Sequence, residues 1–332
     1  MTRITRRTVL GSAAALGAAA AVPARASAAS TQASPTALSG QAILITGCSS
    51  GFGRAAAEHC ARLGAKVFAT MRNIPRPEAE ALRKLARGAR LDITVFELDV
   101  LDEDMANRAV AEAQRLAGRG LDVLVNNAGV GITGPVELQD MAATRLAFDT
   151  NVFGYHRLAR AILPGMRARK QGHIFAISSQ LGRVISPFAG HYSATKFAVE
   201  AMFEQLAYEV HGHGIGVTII EPGGYPTKVW ENRNRYSAEL KTRADARHAD
   251  GYPEVVARMG TEDGSGRTAD VMDIPRAIAD VLGKPAGERP LRLPVSAGAI
   301  PQTGINRASA EAQVAMLARS PLGPVVKAVN GV

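Results

Sequence analysis

Thr46-Gly47-Cys48-Ser49-Ser50-Gly51-Phe52-Gly53 ends a short apolar run, Ala42 to Thr46, and leads into the helical pattern of Ala55 to Leu63. Glycines at 47, 51 and 53 let the backbone turn tightly, and Ser49, Ser50 and Phe52 complete a loop that can approach a pyrophosphate at a helix N-terminus. The spacing is Gly-x-x-x-Gly-x-Gly and not the more familiar Gly-x-Gly-x-x-Gly. Three glycines alone also suit a plain strand–helix turn, and it is their place after the first strand that favours a nucleotide.

Outward from this loop the chain alternates. Lys66–Thr70, Ile93–Leu98, Leu121–Val125, His173–Ser178, Ile215–Ile220 and Leu291–Val295 read as further strands. Glu78–Arg87, Asp102–Ala117, Asp140–Arg167, Tyr192–Val210 and Val271–Leu282 read as helices. Such alternation predicts an α/β fold: a single Rossmann-type, doubly wound parallel sheet of about seven strands with helices on both faces. A chain of 332 residues, 46% of them hydrophobic, is large enough for one such domain with a substantial core. Cys48 and Cys60 show no metal-ligand spacing, and a disulfide between them is not expected. No metal is expected.

The formal net charge is +9, but Arg3, Arg6, Arg7 and Arg25 fall in the first 26 residues, which contain no acid. No basic run interleaved with aromatics remains, so nucleic acid is not an expected partner. A charged start, an apolar stretch from Val9 to Val22 and Ala-x-Ala sites at Ala24–Ala28 form a secretory signal over residues 1–28, with 29–40 as linker. Arg6-Arg7 resembles the twin-arginine class, although Val9 stands where Phe is more usual. The apolar stretch is too short to span a bilayer, so cleaved export to the periplasm or cell exterior is expected, with no stable membrane span.

Several strand ends carry polar residues. About 20 residues past the glycines, where NAD sites hold an acid for the ribose, this chain has Met71 and then Arg72, which could pair with a 2′-phosphate. Asp99-Val100 closes the third strand where an adenine would lie. Asn126-Asn127-Ala128-Gly129 closes the fourth, and amides there could tie strand ends together or touch a ligand. Farther on, Ser179 ends a strand, and Tyr192 and Lys196 lie at i and i+4 on one helical face. A fixed ammonium near a phenol favours the phenolate, bringing it toward acid/base use near neutrality. An exposed Tyr and Lys on an amphipathic helix is the alternative for that pair alone.

Together, Thr46 to Gly53, Asn126 to Gly129, Asn151, Ser179, Tyr192, Lys196, Pro222-Gly223 and Thr227 resemble, in order and spacing, the short-chain dehydrogenase/reductase family over roughly residues 41–295. Gly-Cys-Ser-Ser-Gly-Phe-Gly and Ala-Thr-Met-Arg are similar to its NADP(H)-preferring, hydroxysteroid-dehydrogenase-like branch. The resemblance implies Tyr192 as general acid/base, Lys196 lowering its pKa and bonding the nicotinamide ribose, Ser179 polarising the substrate carbonyl and Asn151 holding a relay water. It implies cofactor contacts from Gly47, Ser49, Ser50, Gly51, Phe52, Gly53, Arg72, Asp99, Val100, Asn126, Ala128, Tyr192, Lys196, Pro222, Gly223, Tyr225 and Thr227, with NADPH favoured over NAD. Tyr225 and Pro226 depart from the family's usual residues, so the nicotinamide pocket is expected to differ in shape.

Trp230 to Arg267, within a lid of about 226–270, is read as a charged, solvated cover over a small-molecule ketone or alcohol, with an anion-binding pocket as the second reading. Phe188 and His191 flank the catalytic helix start. The tail, 296–332, has an apolar-periodic stretch, Ala308 to Leu317, that could cap the pocket or pack on another subunit. A homodimer or homotetramer is expected. The competing class is a non-catalytic NADP(H)-sensing protein on the same fold, which would be expected to have lost Tyr192 or Lys196. A tethered enzyme with an uncleaved N-terminus is the third reading.

Overall fold

The computed structural model describes residues 36–262 and 264–331. The expected signal and most of the linker lie outside the described residues. The end of the linker is docked: Leu38 is fully buried, and its N–H donates to Leu63 O at 2.8 Å.

Seven strands, β1 Ala42–Ile45, β2 Lys66–Met71, β3 Ile93–Glu97, β4 Val123–Asn126, β5 Gly172–Ile177, β6 Ile215–Pro222 and β7 Arg292–Val295, form one parallel sheet. Their order is β3-β2-β1-β4-β5-β6-β7. β1 pairs Ile43 with Val67 on one side and with Val123 on the other. Both sheet faces are covered, which is why every residue of β1, β4 and β5 is buried and their burial does not alternate. The connection changes sides at the β1/β4 junction, opening a crevice at the carboxyl ends of those strands.

The helices are α1 Gly51–Arg62, α2 Pro77–Ala89, α3 Glu103–Ala117, α4 Met141–Phe148, α5 Gly154–Arg169, α6 Tyr192–Val210, α7 Val229–Arg243, α8 Ala246–Ala249, α9 Pro253–Arg258, α10 Asp273–Gly283, α11 Gln302–Leu317 and α12 Gly323–Asn330. Ala57, Cys60, Leu82 and Ile278 of α1, α2 and α10 pack with β1 and β2 in one core. Ala106, Leu158, Ile162 and Phe203 of α3, α5 and α6 pack with the other sheet face. Both cysteines are free and buried.

Three elements differ from the sequence reading. The single helix expected over Asp140–Arg167 is broken by a π turn, Asp149–Phe153, between α4 and α5. The lid, read as a solvated cover, contains the 15-residue helix α7. Tyr236 and Leu240, at i and i+4, pack with Val130, Ile132, Leu138, Ala143 and Ala147 in a third cluster. The tail folds onto its own chain: Asn306 Nδ2 donates to both carboxylate oxygens of Glu221 at 3.0 and 2.8 Å, and Asn330 Nδ2 donates to the Tyr208 hydroxyl.

Candidate active site

At one end of the crevice, α1 follows β1 through the short loop 46–50. Ser50, its N-cap, makes no side-chain cap bond, and the first turn carries no acid. The opening N–H groups and the positive end of the helix are therefore left for an anion. Gly47 has φ +73°, and a Cβ there would lie 2.9 Å from Ala128 Cα; on Gly53 it would lie 2.4 Å from Asn127 Nδ2. Only glycine fits where two strand ends approach this closely. A cavity of about 460 Å³ opens beside α1, lined by Ser50, Gly51, Pro226, Thr227 and Lys228 among others. It includes none of Asn151, Ser179, Tyr192 or Lys196. Ser49 and Phe52 lie in the same loop, and the Phe52 ring packs edge-on against Tyr225, centroids 5.2 Å apart.

Asn127 joins the two central strands. Its Nδ2 donates to Thr46 O at 2.8 Å, while Thr46 Oγ1 accepts from the N–H groups of Asn127 and Ala128. Neighbouring Asn126 is fully buried, yet neither its Oδ1 nor its Nδ2 has a partner among the described residues. The tie between strand ends is thus Asn127, with Thr46, and the amide left open to a ligand is Asn126. Asp99 Oδ1 accepts from Leu101 N–H at 3.1 Å. Val100 is buried against Gly154, whose Cβ would lie 2.9 Å from it. Arg72, just past β2, reaches across to donate to the Tyr236 hydroxyl of α7 at 3.1 Å.

Ser179, Tyr192, Lys196 and Asn151 meet around the ends of β4 and β5. Ser179 Oγ accepts from Leu181 N–H at 3.1 Å, which leaves its O–H to donate elsewhere. Lys196 Nζ donates to Ile177 O at 2.8 Å and stands 5.8 Å from the Tyr192 ring centroid. Burial pulls the Lys196 ammonium down to about 8, with Glu200 acting in the opposite direction. Burial also pushes the Tyr192 phenol above its ordinary value, against pulls from the Ser179 hydroxyl and the Arg233 guanidinium. Lys196 loses its proton near 8, below the range in which the raised phenol titrates, so its ammonium acts on Tyr192 only at lower pH.

Asn151 lies in the π turn and is completely buried. Its Oδ1 accepts from Val130 N–H at 2.8 Å, and its Nδ2 donates to Val130 O and Thr195 Oγ1. Thr195 Oγ1 in turn donates to Tyr192 O at 2.7 Å. A Cβ on Gly129 would stand 3.2 Å from Asn151 Oδ1 and 4.0 Å from Lys196 Nζ, so both polar atoms face one small space.

Tyr155, Thr195 and Asn127 were not singled out from sequence. Tyr155 OH donates to Ile177 O at 3.1 Å, sharing the acceptor of Lys196. Its position four residues after Asn151 was the available signal. Pro222 ends β6, and Gly223 N–H donates to Val295 O. Tyr225 is buried, with its hydroxyl donating to Asp273 Oδ2 at 3.1 Å. The side chain of Thr227 touches the Cβ position of Gly51. Among the described residues no group of three or more His, Cys, Asp or Glu could hold a metal, and no helix is long and apolar enough to cross a membrane.

The seven-stranded parallel sheet with helices around it agrees with the comparisons. The short chain dehydrogenase family model matches residues 41–238, and the chain belongs to that family. It is 42% identical to human (Homo sapiens) retinol dehydrogenase 8 over 56% of this chain, a match that spans 59% of that relative's length. A short-chain dehydrogenase from Streptomyces avermitilis superposes with a TM-score of 0.64 at 31% identity, covering 83% of this chain and 96% of that one. A metagenomic short-chain oxidoreductase solved in complex with NADP gives a TM-score of 0.62 at 25% identity, covering 79% of this chain and 100% of its own.

Proposed function

We propose that this chain is an NADP(H)-dependent oxidoreductase that interconverts a ketone or aldehyde and the corresponding alcohol. The observation that carries this reading is the convergence of Ser179, Tyr192, Lys196 and Asn151 on the mouth of a crevice whose other end is a glycine-built anion cradle. The uncapped α1 N-terminus, Asn126 and Thr227 would hold the dinucleotide, with Arg72 on the 2′-phosphate supporting NADP(H) over NAD(H). The nicotinamide supplies the hydride to the carbonyl carbon in reduction and takes it back in oxidation.

The protein's own part is proton handling and orientation. The Ser179 O–H hydrogen-bonds the substrate oxygen and polarises the carbonyl. As the carbon–hydride bond forms and the C=O π bond opens, Tyr192 gives its proton to that oxygen. A phenol held above its ordinary pKa is fully protonated at neutral pH and ready to donate. The phenolate is reprotonated from solvent through the space shared by Asn151 Oδ1 and Lys196 Nζ.

The test is NADPH oxidation against a panel of ketones and aldehydes, with Tyr192→Phe beside wild type. Turnover should fall about a hundredfold or more in the variant, because general acid catalysis contributes on that order. Turnover surviving in Tyr192→Phe would overturn the assignment.

Arg6-Arg7 and the Ala-x-Ala sites support export through a twin-arginine route. That route moves folded proteins, so the cofactor would be bound before crossing. N-terminal sequencing of exported protein should begin near Ser27 or Ala29; an intact Met1 would overturn this.

A further inference from the structure

The lid gathers two arginines around the chain's single tryptophan. Trp230 lies at the start of α7, and its Nε1 donates to Tyr225 O at 2.7 Å, which pins the indole over the loop that follows β6. The guanidinium carbons of Arg267 and Arg233 lie 3.6 and 4.1 Å from the indole centroid. The Arg233 side chain is only 18% exposed. Its stem rests on the loop that follows β4, where a Cβ on Gly131 would lie 3.3 Å from its Cδ. Its buried Nε has no hydrogen-bond partner among the described residues. It also stands close enough to Tyr192 for the guanidinium and the phenol to favour each other's charged forms.

The ion-pair partner of Arg233 is Glu262, in the loop after α9, whose own side chain is 62% exposed. A buried guanidinium is costly without an anion, and its planar fork fits a carboxylate. Glu262 brings a carboxylate up to the guanidinium, and because it reaches in from solvent it can leave without uncovering a buried group of its own.

We propose that Arg233 is the recognition group for a carboxylate carried by the substrate, so that the reacting ketone or alcohol belongs to the keto acids and hydroxy acids, and that Glu262 is an internal stand-in which this carboxylate displaces. The proposal rests on the reading of Tyr192 as the acid that protonates the substrate oxygen. The arginine lies on the lid beside that phenol, so a substrate bound by both ends would set its carbonyl at Tyr192 and its carboxylate at Arg233. A purely apolar ketone gains nothing by displacing Glu262, since it would leave the guanidinium buried and unpaired.

The single tryptophan provides a readout independent of turnover. Full-length protein saturated with NADP⁺ is titrated with 4-phenyl-2-oxobutanoate and separately with its ethyl ester, following Trp230 emission. The acid should bind about tenfold or more tighter than the ester. Arg233→Gln should remove that preference, Glu262→Gln should tighten binding of the acid, and Arg235→Gln, on the same helix and paired with Glu239, should change neither. Equal binding of acid and ester, or a preference that survives Arg233→Gln, overturns the proposal. So does an Arg233→Gln variant that instead loses affinity for NADP⁺, because the anion would then be the cofactor's phosphate. NADPH oxidation with the same two probes separates the two readings. Acid-selective binding without turnover of either probe upholds the carboxylate site and counts against the oxidoreductase reading. Equal turnover of acid and ester, unaffected by Arg233→Gln, does the reverse.

Discussion

Lys196 and Tyr155 direct their donors to one acceptor, Ile177 O, at the end of β5. That shared anchor fixes the ammonium near the Tyr192 ring, and burial sets its titration. With the Lys196 pKa near 8 and Glu200 holding it up, the fraction charged falls as pH rises through about 8. The kcat/KM for carbonyl reduction should therefore decline above that pH. Glu200→Gln should move the decline to lower pH, which a pH–rate profile of the two proteins would read. Arg72 allows a second prediction. Removing a charge-assisted contact to phosphate is worth about 1.5–3 kcal/mol, so Arg72→Gln should raise the KM for NADPH about tenfold to a hundredfold while leaving NADH unchanged. Equal effects on both cofactors would show that Arg72 serves only Tyr236. Ser179, Tyr192 and Lys196 were legible because their relation is local, one strand end and one helical turn. Thr195 and Asn127 sit inside motifs that were quoted, but their partners, Asn151 and Thr46, are distant in sequence, and no local pattern marks such a bond.

At the scale of elements, α6, β6, β7 and α11 enclose a group of charges behind the site. Arg292 donates to Glu200 and Glu204 at 2.8 and 2.6 Å and lies 3.7 Å from Glu221, all largely buried. Asn306 of the tail completes the coordination of Glu221. Burial and neighbouring Glu200 push Glu221 up to about 7. Breaking such a buried cluster from the arginine side leaves unpaired carboxylates, so Arg292→Met should lower stability by about 3–5 kcal/mol at pH 8. The loss should shrink at pH 5, where Glu221 can take a proton. Urea unfolding at both pH values checks this, and an equal loss at each would refute it. The strands were readable to within a residue or two because parallel strands covered on both faces are plain apolar runs. Helix α7 was not, because Tyr236 and Leu240 are a narrow apolar stripe among many charges. The π turn has no sequence signature, since its residues suit an ordinary helix equally well.

For the molecule as a whole, the acid limit of stability includes a group far from the chemistry. His173, on β5, is 1% exposed, and burial holds it down to about 3. Its Nε2 faces Thr218 Oγ1 at 3.1 Å, and that hydroxyl already donates to Pro290 O. Nε2 therefore carries the proton and donates, leaving buried Nδ1 bare and without a partner among the described residues. The folded protein resists a proton that the unfolded chain accepts at about 6.5. Stability from this group is complete above 6.5 and is lost as pH falls toward 3. Glu221 acts in the opposite sense, favouring the fold as pH drops from about 7 to 4.5. His173→Gln should flatten the acid decline of the urea midpoint between pH 6.5 and 4; an unchanged slope would exclude His173 as its source. The doubly wound parallel sheet itself followed from the alternation of strands and helices. The inward fold of the tail did not, because Gln302 and Asn306 are polar anchors that no apolar periodicity reveals.

The five-residue turn Asp149–Phe153 also sets the relative phase of the helices on either side of it. Upstream, Ala143 and Ala147 face the lid cluster; downstream, Leu158, Ile162 and Met166 face the sheet. One residue of α-helix is worth about 100° of rotation and about 1.5 Å of advance. Losing a single residue here would leave a more regular helix, with each half still a good helix former. It would also turn one half out of step with the other, so Asn151 could not face Val130 while the lid met its cluster. The segment is thus intolerant of any change in its length, and the irregularity acts as a spacer counted in single residues.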